Sequence, residues 1–221
     1  MFQPINALVL VIVGVLAYFI GNISPAILIG KAHGIDIKRE GSGNAGTTNV
    51  LRVLGKKAAV GTLIIDIGKG VLAVMLGRLI AYIYAAHIVG YEDERTVSAM
   101  MLSCAMLAGL FVFFGHIWPM AFGFKGGKGV ATAFGVIMAI NPLLGICCLV
   151  LVAIVVYFSR MVSLGSVVGS ISLPLLSIIF EPDFFFAALI MSIIVIVKHR
   201  ANISRIINGE ESKIFSKKAE K

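Results

Sequence analysis

The sequence predicts an all-α integral membrane protein, a bundle of seven membrane-spanning helices. Three observations carry that prediction. First, of 221 residues 59% are apolar and only 14% charged, with mean hydropathy +1.00. A soluble domain carries about a quarter charged residues, and a core of this size could not hide so much apolar surface. Second, segments 1–30, 96–124, 129–159 and 161–180 contain no Asp, Glu, Lys or Arg. Uncharged apolar runs longer than about 18 residues are membrane helices. Third, these runs do not alternate in polarity, which excludes a transmembrane β-barrel.

The expected spans are 4–29, 58–88, 97–117, 130–140, 142–158, 162–180 and 184–198, in a single membrane domain over 1–221 with a tail at 199–221. The run 129–159 is too long for one straight helix and is split at Asn141-Pro142, a turn signal. The half at 130–140 is short and should enter only part of the bilayer. Asp66, Lys69 and Arg78 interrupt 58–88, which reads either as one long tilted helix or as an interfacial helix plus a span. In the last span Lys198 must snorkel. Neither a cleaved leader nor a lipid anchor is expected, since nothing basic precedes Ala7 and the ends carry no lipidation motif.

Charge gives the orientation. With the N-terminus outside, segments 30–57, 118–129, 159–161 and the tail with Lys198 hold six, two, one and seven Lys or Arg. The opposite loops hold Glu92, Asp93, Glu94, Glu181 and Asp183 with Arg95 alone among them. The positive-inside rule then places the C-terminus and every glycine-rich loop at the cytoplasmic face. The net charge of +8 is explained by orientation and anionic ligands rather than nucleic acid. Cys104, Cys147 and Cys148 sit in apolar runs without metal or disulfide spacing and read as small buried residues.

Two loops carry chemistry. Segment 41–49, GSGNAGTTN, combines three glycines with two amides and three hydroxyls, followed by Arg52, Lys56 and Lys57. Glycines let successive N–H groups turn towards one anion, and a helix starting near Val50, capped by Thr48 or Asn49, would add its N-terminus. A flexible polar linker is the plainer reading. Segment 123–129, GFKGGKG, is tighter and more basic. It is no Walker A loop, because Gly129 and not Ser or Thr follows Lys128, yet small residues beside a lysine suit phosphate. A bare topology signal would need the lysines but not the glycines.

Elsewhere the signals are weaker. Ser163, Ser166 and Ser170 share one helix face, which helix packing alone explains. His33, His87 and His116 show no ligand spacing and read as structural. His199 stands at the membrane edge with Asn202 three residues on. The nearest approach to a His-x-x-x-x-Asp acyltransfer site is His87 to Glu92, with the wrong acid on the wrong side, and no nucleophile elbow is visible. Asp66 and Lys69, one turn apart inside a span, are either functional or a mutual pair.

Taken in order, GSGNAGTTNVLRVLGKKAAVGTLIIDIGKG, GHIWPMAFGFKGGKGVAT, SRMVSLGS and KHRANISRIINGEE resemble the PlsY-type acyl-phosphate:glycerol-3-phosphate acyltransferases of bacteria. The resemblance covers nearly the whole chain; Ala45 stands where the family often has proline. It implies a seven-helix inner-membrane enzyme without cofactor or metal. That enzyme moves a fatty acyl group from acyl phosphate to the 1-hydroxyl of glycerol-3-phosphate, giving lysophosphatidic acid and phosphate, the first step of phospholipid synthesis.

By matching positions, Ser42, Gly43, Asn44, Gly46, Thr48 and Asn49, with Gly126, Gly127 and Gly129, would hold acyl phosphate. Arg52, Lys128, Ser166, His199 and Asn202 would hold glycerol-3-phosphate, with Ser42, Arg52 and Lys128 also catalytic. Asp66, Lys69 and Glu210 would be structural supports nearby. The implied partners are the two substrates, the bilayer and the enzyme that supplies acyl phosphate. The competing function is a transporter for a small organic phosphate or other anion. Transporters place their site near the midplane at a repeat interface, whereas here the polar groups gather at one face and no repeat is seen.

Overall fold

A computed structural model describes residues 5–90 and 93–214, so Glu92 and the tail beyond 214 lie outside the described residues. The chain groups into two compact units divided after Ile140. Among the described residues, Ala7–Ala32, Lys56–Val89, Glu94–Phe122, Pro142–Ser159 and Val162–Phe180 are long and apolar enough to cross a membrane. Pro182–Lys198 with Arg200–Ile207 makes a sixth if that pair, bent by 59°, is one span. Val130–Ile140, at 11 residues, rises only about 16 Å and reaches through about half of a hydrocarbon core.

In the first unit, α1 (Ala7–Asn22) and α2 (Pro25–Ala32) replace the single helix expected over 4–29. Pro25 opens α2, and its ring drives Ser24 out of the helical region to φ −106°, ψ 94°. Next come α3 (Thr47–Leu54) and α4 (Lys56–Ile83). Gly55 separates them at φ 83°, a conformation that suits glycine. The interrupted segment 58–88 is one continuous helix, for α4 runs on through a π-helical turn at Tyr84–Val89. Asp93 then caps α5 (Glu94–Ile117), and α6 (Val130–Ile140) completes the unit.

Small residues set the packing of these helices, as expected where lipid removes the hydrophobic drive for helices to associate. A Cβ on Gly21 of α1 would lie 2.8 Å from the Cα of Gly115 on α5. One on Gly77 of α4 would come within 2.7 Å of the Cys104 carbonyl on α5. The same holds between α4 and α6, where Gly70 meets the backbone of Thr132 and Val136. Backbones in this unit therefore touch, and that closeness fixes where the loops emerge.

The second unit starts at Asn141, whose side chain accepts from the Leu144 N–H at 3.1 Å and caps α7 (Pro142–Ser159). Following it, α8 (Val162–Phe180) packs on α7 and on α9 (Phe185–Lys198). Pro174 inside α8 has no N–H for the Ser170 carbonyl, and the Ser192 hydroxyl of α9 supplies the missing donor. The segment expected as a tail contains a further helix, α10 (Arg200–Ile207). Past it, the Ile214 N–H donates to the Arg160 carbonyl at 2.8 Å, so residue 214 lies beside the start of α8.

Candidate active site

The first glycine loop is held from within by Asn49. This residue is only 1% exposed. Its Oδ1 accepts from the Ser42 N–H at 2.8 Å, and its Nδ2 donates to the carbonyls of Ile37 at 3.1 Å and Glu40 at 3.0 Å. Gly41 at φ 59° lies so close to the Asn49 amide that a Cβ would collide with it. Gly43, at φ 68°, passes the Lys38 carbonyl, which a Cβ would approach to 3.0 Å. Asn49 is thus engaged in shaping the loop, with its amide committed to three backbone groups.

Neither Thr48 nor Asn49 caps α3. Gly46 does so without a side-chain bond, and the helix begins at Thr47, earlier than Val50. The reason is that Asn49 is drawn back onto 37–42, which leaves it inside the first turn. Thr47, absent from the residues expected at the site, has a buried hydroxyl with no hydrogen-bond partner among the described residues. Ser42 and Arg52 are exposed, while Asn44, Gly46 and Thr48 are half-buried. Here the α3 N-terminus leaves backbone donors unspent, as every helix start does.

The second loop docks against the first. Gly126 and Gly127 donate to the carbonyls of Ile117 at 3.1 Å and His116 at 3.3 Å. A Cβ on Gly127 would strike the His116 imidazole and come within 2.7 Å of the Ala45 carbonyl. Gly129, at φ 85°, presses on the Phe113 ring. Only glycine fits at these contacts, and the glycines expected from sequence are what lets the two loops meet. Lys128 follows at once, half-buried, whereas Lys125 is exposed. A further tie joins the approaches to the loops: Lys38 Nζ donates to the Phe122 carbonyl at 2.9 Å. Burial pushes the Lys38 ammonium below its usual range, Asp36 pulls it up, and Lys125 and Lys31 push it down again.

Beneath the second loop lies a buried charged cluster. Lys69 Nζ stands 2.8 Å from Asp66 Oδ1 and 2.7 Å from His116 Nδ1, and Asp66 Oδ1 is 3.2 Å from the same nitrogen. The ammonium also donates to the carbonyls of Ile23 at 2.8 Å and Gly21 at 3.2 Å, which the break before α2 releases. Asp66 and Lys69 are therefore a mutual pair, with His116 as a third member that spacing along the chain did not reveal.

In the second unit a carboxylate ties the first turn of α8 to α10. Glu211 Oε1 accepts from Ser163 Oγ and Asn202 Nδ2, both at 2.8 Å, and Oε2 from Arg205 Nε at 2.7 Å. Burial alone would raise this carboxyl, but the bonds from Asn202, Ser163 and Arg205 hold it below the usual range. Glu210, the expected structural glutamate, is exposed, so that role falls to Glu211. Gly209 makes the difference: at φ 73° it reverses the chain after α10, and the next residue but one turns inward. His199 is buried, and its Nδ1 donates to the Val195 carbonyl at 2.8 Å. Ser166 is buried with its hydroxyl on the Val162 carbonyl at 2.9 Å.

Two glycine loops thus meet, each followed by a basic residue. The sequence profile of one family, glycerol-3-phosphate acyltransferase, matches residues 11–209, which include both loops, Ser166, His199 and Asn202. The chain belongs to that family. A glycerol-3-phosphate acyltransferase of Clostridioides difficile is 43% identical over 210 residues, covering 94% of this chain and 97% of that one. Its counterpart in Finegoldia magna is 42% identical over 213 residues, covering 95% and 98%. Among solved structures, PlsY (YgiH), an integral membrane glycerol 3-phosphate acyltransferase, superposes with a TM-score of 0.76 in its glycerol 3-phosphate form. It is 32% identical, over 93% of this chain and 95% of that one. Its lysophosphatidic acid form gives 0.73, over 92% and 94%. Family members are acyltransferases, and a transporter is not the reading these relatives support.

Proposed function

We propose that this enzyme transfers a fatty acyl group from acyl phosphate to the 1-hydroxyl of glycerol-3-phosphate, yielding lysophosphatidic acid and phosphate for phospholipid synthesis. It works as a seven-span protein of the bacterial inner membrane, with N-terminus outside and active site at the cytoplasmic face. The observation that carries this reading is the meeting of the two glycine loops at Ala45 and Gly127. Together with Arg52 and Lys128, that meeting suits a phosphate group. The glycerol 3-phosphate form of a 32% identical PlsY supports the acceptor.

Ser42, Gly43, Asn44, Gly46 and Thr48, with Gly126, Gly127 and Gly129, cradle acyl phosphate, and Asn49 keeps that loop in shape. Thr47 joins them, since its buried hydroxyl is a donor awaiting an acceptor. Arg52, Lys128, Ser166, His199 and Asn202 hold glycerol-3-phosphate. In the reaction the 1-hydroxyl oxygen bonds to the acyl carbon, and the bond from that carbon to the phosphate oxygen breaks. The hydroxyl proton passes to a substrate phosphate oxygen, and phosphate leaves. Acyl phosphate is a mixed anhydride with a good leaving group, so no protein nucleophile is required. Orientation and donors aimed at developing charge supply the rate. The donor comes from a partner enzyme that makes acyl phosphate.

Purified protein should acylate glycerol-3-phosphate with acyl phosphate and release phosphate without added metal. Activity with acyl-CoA and none with acyl phosphate would sink the donor assignment. For orientation, Asp93→Cys should react with an impermeant thiol reagent added to intact cells, whereas Lys213→Cys should not. The reverse pattern would overturn the topology.

A further inference from the structure

We infer that Lys69 is a positioning residue for the reaction: it holds His116 in the tautomer that keeps the two glycine loops docked. The inference rests on the reading of the second loop as part of the phosphate site. An ammonium only donates, so at 2.7 Å from Lys69 Nζ the Nδ1 of His116 must be the accepting nitrogen. The ring hydrogen then sits on Nε2. That nitrogen and the Ala45 carbonyl oxygen crowd the same side of Gly127, where a Cβ would meet both. With hydrogen on Nε2 the ring presents a donor towards that carbonyl; without it, two lone pairs would face each other across Gly127.

The charged groups around Nδ1 explain why Lys69 is needed. Asp66 Oδ1 lies 3.2 Å from Nδ1, and a carboxylate only accepts. Left alone with Asp66, His116 would place a hydrogen on Nδ1. Lys69 prevents this by meeting Asp66 and Nδ1 with the same ammonium, only 4% exposed and anchored on the Ile23 carbonyl. A buried ion pair one turn apart on α4 thereby reaches the loop that carries Lys128.

Two variants separate this role from helix packing. Lys69→Met removes the ammonium and leaves Asp66 to draw a hydrogen onto Nδ1. It should raise KM for glycerol-3-phosphate about tenfold, the scale of one mispaired buried group, with kcat changed less than about threefold. Asp66→Asn with Lys69→Met also loses the bonds to Gly21 and Ile23, yet the new amide can donate to Nδ1. That double variant should recover KM to within about threefold of wild type. Nitrogen-15 spectra of labelled histidine, assigned through His116→Gln, should show hydrogen on Nε2 in wild type and in the double variant. In Lys69→Met they should show it on Nδ1. Hydrogen on Nδ1 in wild type, or a double variant no better than Lys69→Met, would overturn the role, and both readings survive a single variant that fails to fold. Lys128→Ala is the reference. If it raises KM while Lys69→Met does not, the positioning role alone is wrong; if Lys128→Ala leaves KM unchanged, the site reading falls and this inference with it.

Discussion

Each unit contains a buried carboxylate, and the two order their neighbours in opposite ways. In the first unit Asp66 pairs with Lys69 and His116, whose ring abuts Gly127. In the second unit Glu211 bonds Asn202 directly, along with Ser163 and Arg205. The difference follows from surroundings. Asp66 lies inside a long apolar helix, where a charge must be neutralised on the spot. Glu211 follows a short polar helix, where neutral donors and one arginine suffice. Buried carboxylates are thus used here to order neighbours, while the cations proposed to meet phosphate, Arg52 and Lys128, are exposed and half-buried.

The largest effects should therefore come from the cations and not from either carboxylate. Replacing Arg52 or Lys128 by Ala should remove the proposed charge-assisted contact with phosphate, at a cost of about 2–4 kcal/mol, or roughly thirty- to a thousandfold in kcat/KM. Arg52→Lys keeps the charge without the planar fork and should stay well below wild type. Steady-state kinetics on purified variants decide this, and near-full activity of Arg52→Ala would remove it from the phosphate site. Next in size is Gly127→Ala. Its methyl group must displace His116 or the Ala45 carbonyl, so kcat/KM should fall by about one to two orders of magnitude through loop separation. A fully active Gly127→Ala would show that the loops need not touch.

The membrane helices and the glycine loops were legible in the sequence, and the contacts that support those loops were not. Uncharged runs reveal membrane helices because charge is expensive in lipid, and Asn141-Pro142 reveals a break because both residues favour one. Pro25 breaks α1 from α2 inside an uncharged run, where charge pattern is blind to it. Glycine-rich loops announce themselves by composition. Yet whether an amide such as Asn49 serves the ligand or the loop depends on three backbone partners that only folding brings near. His116 stood forty-seven residues from Lys69, with nothing in its spacing to link them. Glu211 and Glu210 are indistinguishable until Gly209 turns the chain.

The Glu211 cluster offers an intermediate effect. Glu211→Ala strands donors on Ser163, Asn202 and Arg205 and should cost about 1.5–3 kcal/mol of stability in the second unit, with KM for glycerol-3-phosphate rising as Asn202 loosens. Glu210→Ala should change neither by more than about 0.5 kcal/mol. Because the folded carboxyl titrates below its ordinary 4.5, its contribution is complete above about pH 4.5. It is lost as pH falls from there through the folded value. Thermal unfolding from pH 7 to pH 3 should show wild type converging on Glu211→Ala at the acid end. Parallel curves would mean that the carboxylate is not what the cluster depends on.

The smallest effect tests how finely the second loop is divided. Lys125 is exposed, whereas Lys128 is half-buried three residues on. Lys125→Ala should leave stability within about 0.5 kcal/mol and kcat/KM within about twofold. The variant should still register at Lys38, whose ammonium is held down mainly by burial and in part by the Lys125 charge. Removing that charge lets Lys38 titrate higher, a shift visible in NMR of labelled lysine side chains while activity stays put. Such a result would mean that Lys125 adds positive potential at this edge without touching substrate. If Lys125→Ala is as damaging as Lys128→Ala in protein that inserts and purifies normally, both lysines belong to the phosphate site, and the contrast drawn from their exposure is wrong.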